Sequence, residues 1–122
     1  MTDRLEQLRS AWPGGVEFNS KLVDRAIAGT FAPDERVRAK ELADGYDPSA
    51  KEQGRSRVLL AAVRLSGGNL VRLESLLRAA ETDFRDVLAS AEYEAPTSPL
   101  VARLSDEYLS WFDRLRIRDE GK

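Results

Sequence analysis

Residues 57–94, RVLLAAVRLSGGNLVRLESLLRAAETDFRDVLASAEYE, decide the fold. This stretch holds the densest apolar content in the chain, and Gly67, Gly68 and Asn69 are its only sharp punctuation. The run 58–65 is apolar on nearly every side apart from Arg64, the pattern of a central, buried helix. Gly67 stops that helix in the left-handed position that commonly follows one. Asn69 caps the next, whose apolar stripe is Leu70, Leu73, Leu76, Leu77 and Ala80. Thr82 caps a further one, with Phe84, Val87, Leu88 and Ala91 at helical spacing. Three consecutive helices form the middle of one core.

On the N-terminal side, Leu5, Leu8 and Trp12 recur at steps of three and four, a short amphipathic helix over 3–12 that Pro13, Gly14 and Gly15 end. Asn19 or Ser20 caps a second helix, with Phe18, Leu22, Val23, Ala26 and Ile27 inward and Gly29 at its close. Pro33 suits the first turn of a third helix, and Asp34 and Glu35 suit its dipole. That helix runs to about Ala43 and is mostly polar. A surface position follows, with pairs such as Asp34–Arg38 and Lys40–Asp44. Asp47 and Pro48 open the fourth helix, in which Gly54 is a weak point.

On the C-terminal side, 95–99 is a linker that ends in a cap, Ser98, and a first-turn proline, Pro99. The last helix runs to about Ile117. Val101, Leu104, Tyr108, Trp111 and Leu115 follow steps of three and four, and Leu100, Leu109 and Phe112 widen the stripe. A polar tail begins at about 118 and frays. The expected architecture is all-α, a compact single-domain bundle of six or seven helices over residues 1–122.

Composition narrows the chemistry. With 42% apolar and 33% charged residues, the chain can build a core at this length without staples. It has no cysteine, so disulfides and thiolate chemistry are out, and it has no histidine, the commonest base near neutral pH and the commonest zinc ligand. The formal charge of -2 gives no global pull toward nucleic acid or anionic lipid. No apolar run reaches the roughly 18 residues that a membrane span needs. The first residues, MTDRLEQLRSAW, carry acids and no apolar signal core, so a cytoplasmic protein is expected.

The Gly67-Gly68-Asn69 turn resembles the helix-turn-helix of Fis-type DNA-binding domains. The match runs through Gly67, Gly68, Asn69, Arg72, Leu76, Leu77, Leu88 and Phe84, the last in a leucine position. That resemblance implies a nucleic-acid-binding function. The chain departs from it at Leu73 and Glu74, where small residues let the helices approach, and at Arg78, where the tight turn has glycine. The helix that would read the groove carries Glu81, Asp83 and Asp86, with Arg85 its only base, and acids there repel phosphate. The longer pattern GGNLxxLxxLLxxAxxDFRDVLxxAEY resembles a small family of uncharacterised bacterial helical proteins. It implies a bacterial, cytoplasmic, helical domain and carries no activity with it.

Two surfaces are candidates. Tyr108, Leu109, Trp111 and Phe112 gather three aromatics within five residues, either core or a partner surface. Arg57, Arg64, Arg72, Arg78 and Arg85 form a candidate anion or nucleic-acid patch, although such arginines often snorkel from a buried helix toward acids elsewhere. Asp83 and Asp86 lie one turn apart, but one helix supplies too few carboxylates for a metal or acid–base site. No catalytic, metal-binding or cofactor-binding residue is expected. The expected function is non-enzymatic, through protein–protein contacts, with a homodimer through the last helix as one form. A divergent helix-turn-helix nucleic-acid binder is the alternative.

Overall fold

The computed structural model describes the backbone of residues 4–12, 14–46, 52–93 and 104–120, with the side chains of 52, 53 and 117–120 left aside. Among these residues six helices follow in order: α1 (Arg4–Ala11), α2 (Ser20–Thr30), α3 (Arg36–Asp44), α4 (Glu52–Ser66), α5 (Leu70–Glu92) and α6 (Asp106–Glu120). Among the described residues there is no strand, only an isolated antiparallel bridge between Tyr93 and Leu104. The fold is all-α, as the sequence predicts.

α4 is the central element. Residues 58–63 are all buried, and Leu60, Ala61, Ala62 and Val63 are fully so. Six consecutive positions span more than a full turn, so neighbours must cover the helix on every side. α5 and α2 do most of this. One apolar cluster draws on all six helices.

The turn after α4 shows why two glycines stand there. Gly67 has φ +60 and Gly68 φ +88, both left-handed. A Cβ on Gly68 would lie 2.7 Å from the carbonyl oxygen of Thr30, whereas one on Gly67 would meet open space. The turn is therefore jammed against the end of α2. Ser66 supports it, its Oγ donating to the Val63 carbonyl at 2.7 Å and accepting from Gly68 N at 3.3 Å. Asn69 Oδ1 then accepts from Arg72 N at 3.0 Å, the predicted cap of α5.

α5 is broken once. Asp83 leaves helical geometry (φ -151, ψ 93), and its Oδ1 accepts from Arg85 N at 3.1 Å. The second cap is thus Asp83, one residue later than the predicted Thr82. A straight helix would keep Phe84 in register with Leu73, Leu77 and Ala80. The break turns it outward, to 43% exposure, and the buried stripe resumes at Val87, Leu88 and Ala91.

Other boundaries also move. α2 is capped by Asn19, whose Oδ1 accepts from Leu22 N at 3.0 Å, and it runs through Gly29 to Thr30. Residues 33–35 form a turn, so α3 starts at Arg36 and not at Pro33. α3 packs through Ala39 and Ala43, whose small side chains allow a close approach, while Val37 is 69% exposed. Lys40 Nζ bridges Asp24 of α2 at 2.8 Å and Asp44 at 3.4 Å. The expected Asp44 pair is present; Arg38 meets Glu41 at 3.3 Å where Asp34 was expected. Asp47, Pro48 and the 95–99 linker, with the Ser98 cap, Leu100 and Val101, lie outside the described residues. Leu104 is bridged to Tyr93 and is not helical; Ser105 caps α6, its Oγ accepting from Tyr108 N at 3.2 Å. α6 continues to Glu120, past the expected limit near 118. Arg4 joins α1 to α6 with two bonds to Asp113, each 3.0 Å, and Arg9 pairs with Asp106.

The two glycines should respond differently to alanine. Gly67→Ala costs the left-handed strain alone, about 1–2 kcal/mol. Gly68→Ala adds a clash with the Thr30 backbone, and a loss of about 3 kcal/mol or more is expected. Urea midpoints of the two variants check the order; equal losses would contradict the close approach.

Candidate functional site

The aromatic stripe of α6 faces inward. Tyr108 is 1% exposed, and Leu109 and Phe112 are fully buried. The Trp12 ring of the segment after α1 stands edge-on to Phe18 (5.2 Å), Phe112 (5.2 Å) and Tyr108 (6.1 Å). Three of the four residues read as a candidate partner surface are therefore core in this chain. The reason is the docking of α6 against α1 and α2, which periodicity cannot supply. Trp111 alone keeps part of its surface. The guanidinium of Arg64 lies 5.6 Å from its ring centroid, within cation–π range, and the Tyr108 ring is 5.4 Å away.

Beneath this aromatic group lies a buried ion pair. Glu92, near the end of α5, has no exposed surface. Arg57 of α4 grips it with both prongs, Nε to Oε2 at 2.8 Å and Nη2 to Oε1 at 2.6 Å. Trp12 Nε1 donates to Oε1 at 3.3 Å. The same guanidinium lies 5.9 Å from the Trp12 ring and 6.0 Å from the Phe18 ring. Burial works against the charge of Arg57, but the hydrogen bond and charge of Glu92 outweigh it, and the pKa of Arg57 rises. The Tyr108 hydroxyl is buried and has no hydrogen-bond partner among the described residues. Burial, and then the charge of Glu92, push its phenol well above the ordinary range. Of the two readings the sequence offered for Arg57, a surface patch or an arginine reaching from a buried helix to an acid elsewhere, the structure has the second, and its acid is Glu92.

This pair links α4 to the end of α5 and to Trp12. Both oxygens of Glu92 are engaged, and none of the clefts described below reaches it. Asp83 is used as a helix cap. Among the described residues no group of three or more acids is placed to hold a metal ion. No helix among them is long and apolar enough to cross a membrane.

The five arginines of the candidate patch do not converge. Arg57 is in the core pair and Arg64 lies over Trp111. On α5, Arg78 bonds Glu74 at 2.8 Å and Arg85 pairs with Asp83 at 3.3 Å, leaving Arg72 exposed near the start of the helix.

Two clefts run along the seam between α2 and α6. One, of about 210 Å³, is lined by Ala26 and Gly29 of α2 and by Trp111, Arg114 and Leu115 of α6. The other, of about 310 Å³, lies toward the start of α2, among Val16, Glu17, Lys21, Arg25 and Arg116. Arg25 ties the helices together between them, donating to the Leu115 carbonyl at 3.2 Å.

Removing one member of the buried pair should be far worse than removing both. Glu92→Ala is expected to cost about 3–5 kcal/mol, while Arg57→Met with Glu92→Leu recovers most of the loss. Equal destabilisation in urea would argue against a buried pair. Tyr108→Phe deletes a hydroxyl without a partner, so stability should hold or rise. The folded pKa of Tyr108 lies above its unfolded value near 10, so its contribution is complete below about pH 10 and is lost as pH rises further. Tyr108→Phe should therefore blunt the alkaline loss of stability; an unchanged profile would contradict the assignment.

Comparison with protein-family models, curated proteins and solved structures finds no match for this chain. The functional reading rests on its own residues.

Proposed function

We propose that this is a non-enzymatic helical protein that acts through protein–protein contacts, with a second copy of itself as the first partner. The contact face is the α2–α6 seam around Trp111. A cytoplasmic setting belongs to this reading, since a chain without cysteine gains nothing from an oxidising compartment.

One observation carries the proposal. Trp111 is the large aromatic of α6 that is not enclosed, and it borders an apolar cleft with Ala26, Gly29 and Leu115. Tryptophan and arginine are enriched at interface centres, and Arg64 and Arg114 flank this ring. Ala26 and Gly29 leave room for an incoming side chain. The missing histidine and cysteine, with Glu92 and Asp83 committed to structure, favour binding over catalysis.

The alternative, a divergent helix-turn-helix nucleic-acid binder, draws on the Gly67-Gly68-Asn69 turn and the helix that restarts at Asp83. The acids at Glu81, Asp83 and Asp86 weigh against it, as does the pairing of Arg85 with Asp83. Bulk duplex DNA at low salt should give no mobility shift; a shift lost in Arg72→Ala would favour this alternative.

Sedimentation equilibrium from micromolar to millimolar protein tests the main reading. A reversible dimer is expected, and Trp111→Ala should weaken it by about tenfold or more. A monomer throughout that range, or a dimer indifferent to Trp111→Ala, would overturn self-association through this face.

A further inference from the structure

The outward strip of α6 carries its charges in a self-complementary order. Glu107, Ser110, Trp111 and Arg114 follow steps of three, one and three, so they share one arc of the helix. The buried residues Tyr108, Leu109, Phe112 and Leu115 occupy the other side. Glu107 and Arg114 are exposed at the two ends of the strip, with Ser110 and Trp111 half-buried between them. A cleft of about 300 Å³ borders it, lined by Arg64, Asp106, Glu107, Ser110 and Arg114.

The two end charges are unmatched among the described residues. Asp106 is paired with Arg9, and the Arg64 guanidinium lies over the Trp111 ring. Neither Glu107 nor Arg114 has a hydrogen bond or an ion pair there. They stand seven positions apart, roughly 10 Å along the axis, beyond the spacing of three or four at which helix side chains meet.

The midpoint of Glu107 and Arg114 falls between Ser110 and Trp111. A two-fold axis through that point, perpendicular to the helix, lays α6 antiparallel on its copy. Glu107 then faces Arg114 of the second copy, and Arg114 faces its Glu107. A parallel pairing would set acid on acid and base on base. Ser110, a small side chain, lets the two helices approach at the axis, and the two Trp111 rings come together beside it.

We propose that the two copies join in this way: α6 crosses α6 antiparallel about a two-fold axis at Ser110 and Trp111, with reciprocal Glu107–Arg114 pairs holding the register. This rests on the self-association through Trp111 and adds its orientation, its register and the residues that select a second copy. Such an interface is isologous, so each contact occurs twice. Charge pairs beside a helix seam set orientation and partner choice.

Sedimentation equilibrium compares the wild-type chain with Glu107→Arg, Arg114→Glu and the double variant. Each single reversal places like charges together at two symmetric points, and it should weaken the dimer by about tenfold or more. The double variant restores opposite charges and should dimerise within about threefold of the wild type. An equimolar mixture of the two single variants should form a heterodimer that neither forms alone, since one chain then carries only bases at these positions and the other only acids. A helix merely weakened by substitution would not be rescued by mixing. A wild-type monomer throughout would overturn self-association and this register with it. A dimer weakened by Trp111→Ala but indifferent to both reversals would keep self-association and overturn this register alone, as would single variants that mixing fails to rescue.

Discussion

A helix with no solvent side over six residues constrains everything around it. The segment 58–63 cannot stand at an edge, so α2 and α5 must close over it and the remaining helices must seal the gaps. Its apolar burial is the main driving force available here, because most of the ion pairs lie at the surface, where each is worth less than about 1 kcal/mol. The Gly67-Gly68 turn serves the same constraint. It reverses the chain tightly enough to lay α5 on α4, and it fits only because glycine lets the backbone press on Thr30.

Among the described residues one ion pair lies deep in this framework, Arg57 with Glu92, and it has a different character. It joins the first half of α4 to the end of α5 and takes in Trp12 from a third direction. A buried pair of this kind adds little net stability over apolar residues of the same size. Separating Arg57 from Glu92 would leave a buried charge without its partner, which favours the arrangement that joins them. The Ser105 N–H donates to the Glu92 carbonyl at 2.7 Å, so the same residue also fixes where the chain re-enters ahead of α6.

What the sequence disclosed depended on the range of the interaction. Local chemistry was readable: the apolar run of α4, the left-handed Gly67, the caps at Asn19 and Asn69. The break in α5 was legible to within one residue, since Thr82 and Asp83 are both cap formers. The facing of α6 was not, because Tyr108, Leu109, Trp111 and Phe112 cover too wide an arc for periodicity to choose a side. Arg57 and Glu92 stand 35 residues apart on separate helices and look like any surface charges. The cleft that Lys21, Arg25 and Arg116 line joins two distant helices, so no window along the chain shows it. Of the four α6 candidates only Trp111 keeps part of its surface, while Arg72, Arg78 and Arg85 are exposed on α5.

The pairing of α1 with α6 has a consequence for motion. Arg4 and Asp113 are 109 residues apart, and Trp12 reaches Glu92 across 80. Among the described residues, α6 is the principal neighbour of α1. α1 loses its main partner if α6 leaves, whereas α6 also packs on α2 and α5, so α1 is expected to open with or before α6 and apart from the hairpin of α4 and α5. In native-state hydrogen exchange the amides of both would open at a lower free energy than those of α4. The Trp111 face and both clefts of the α2–α6 seam are built partly on α6, so its opening would dismantle them while the centre of the molecule stays folded.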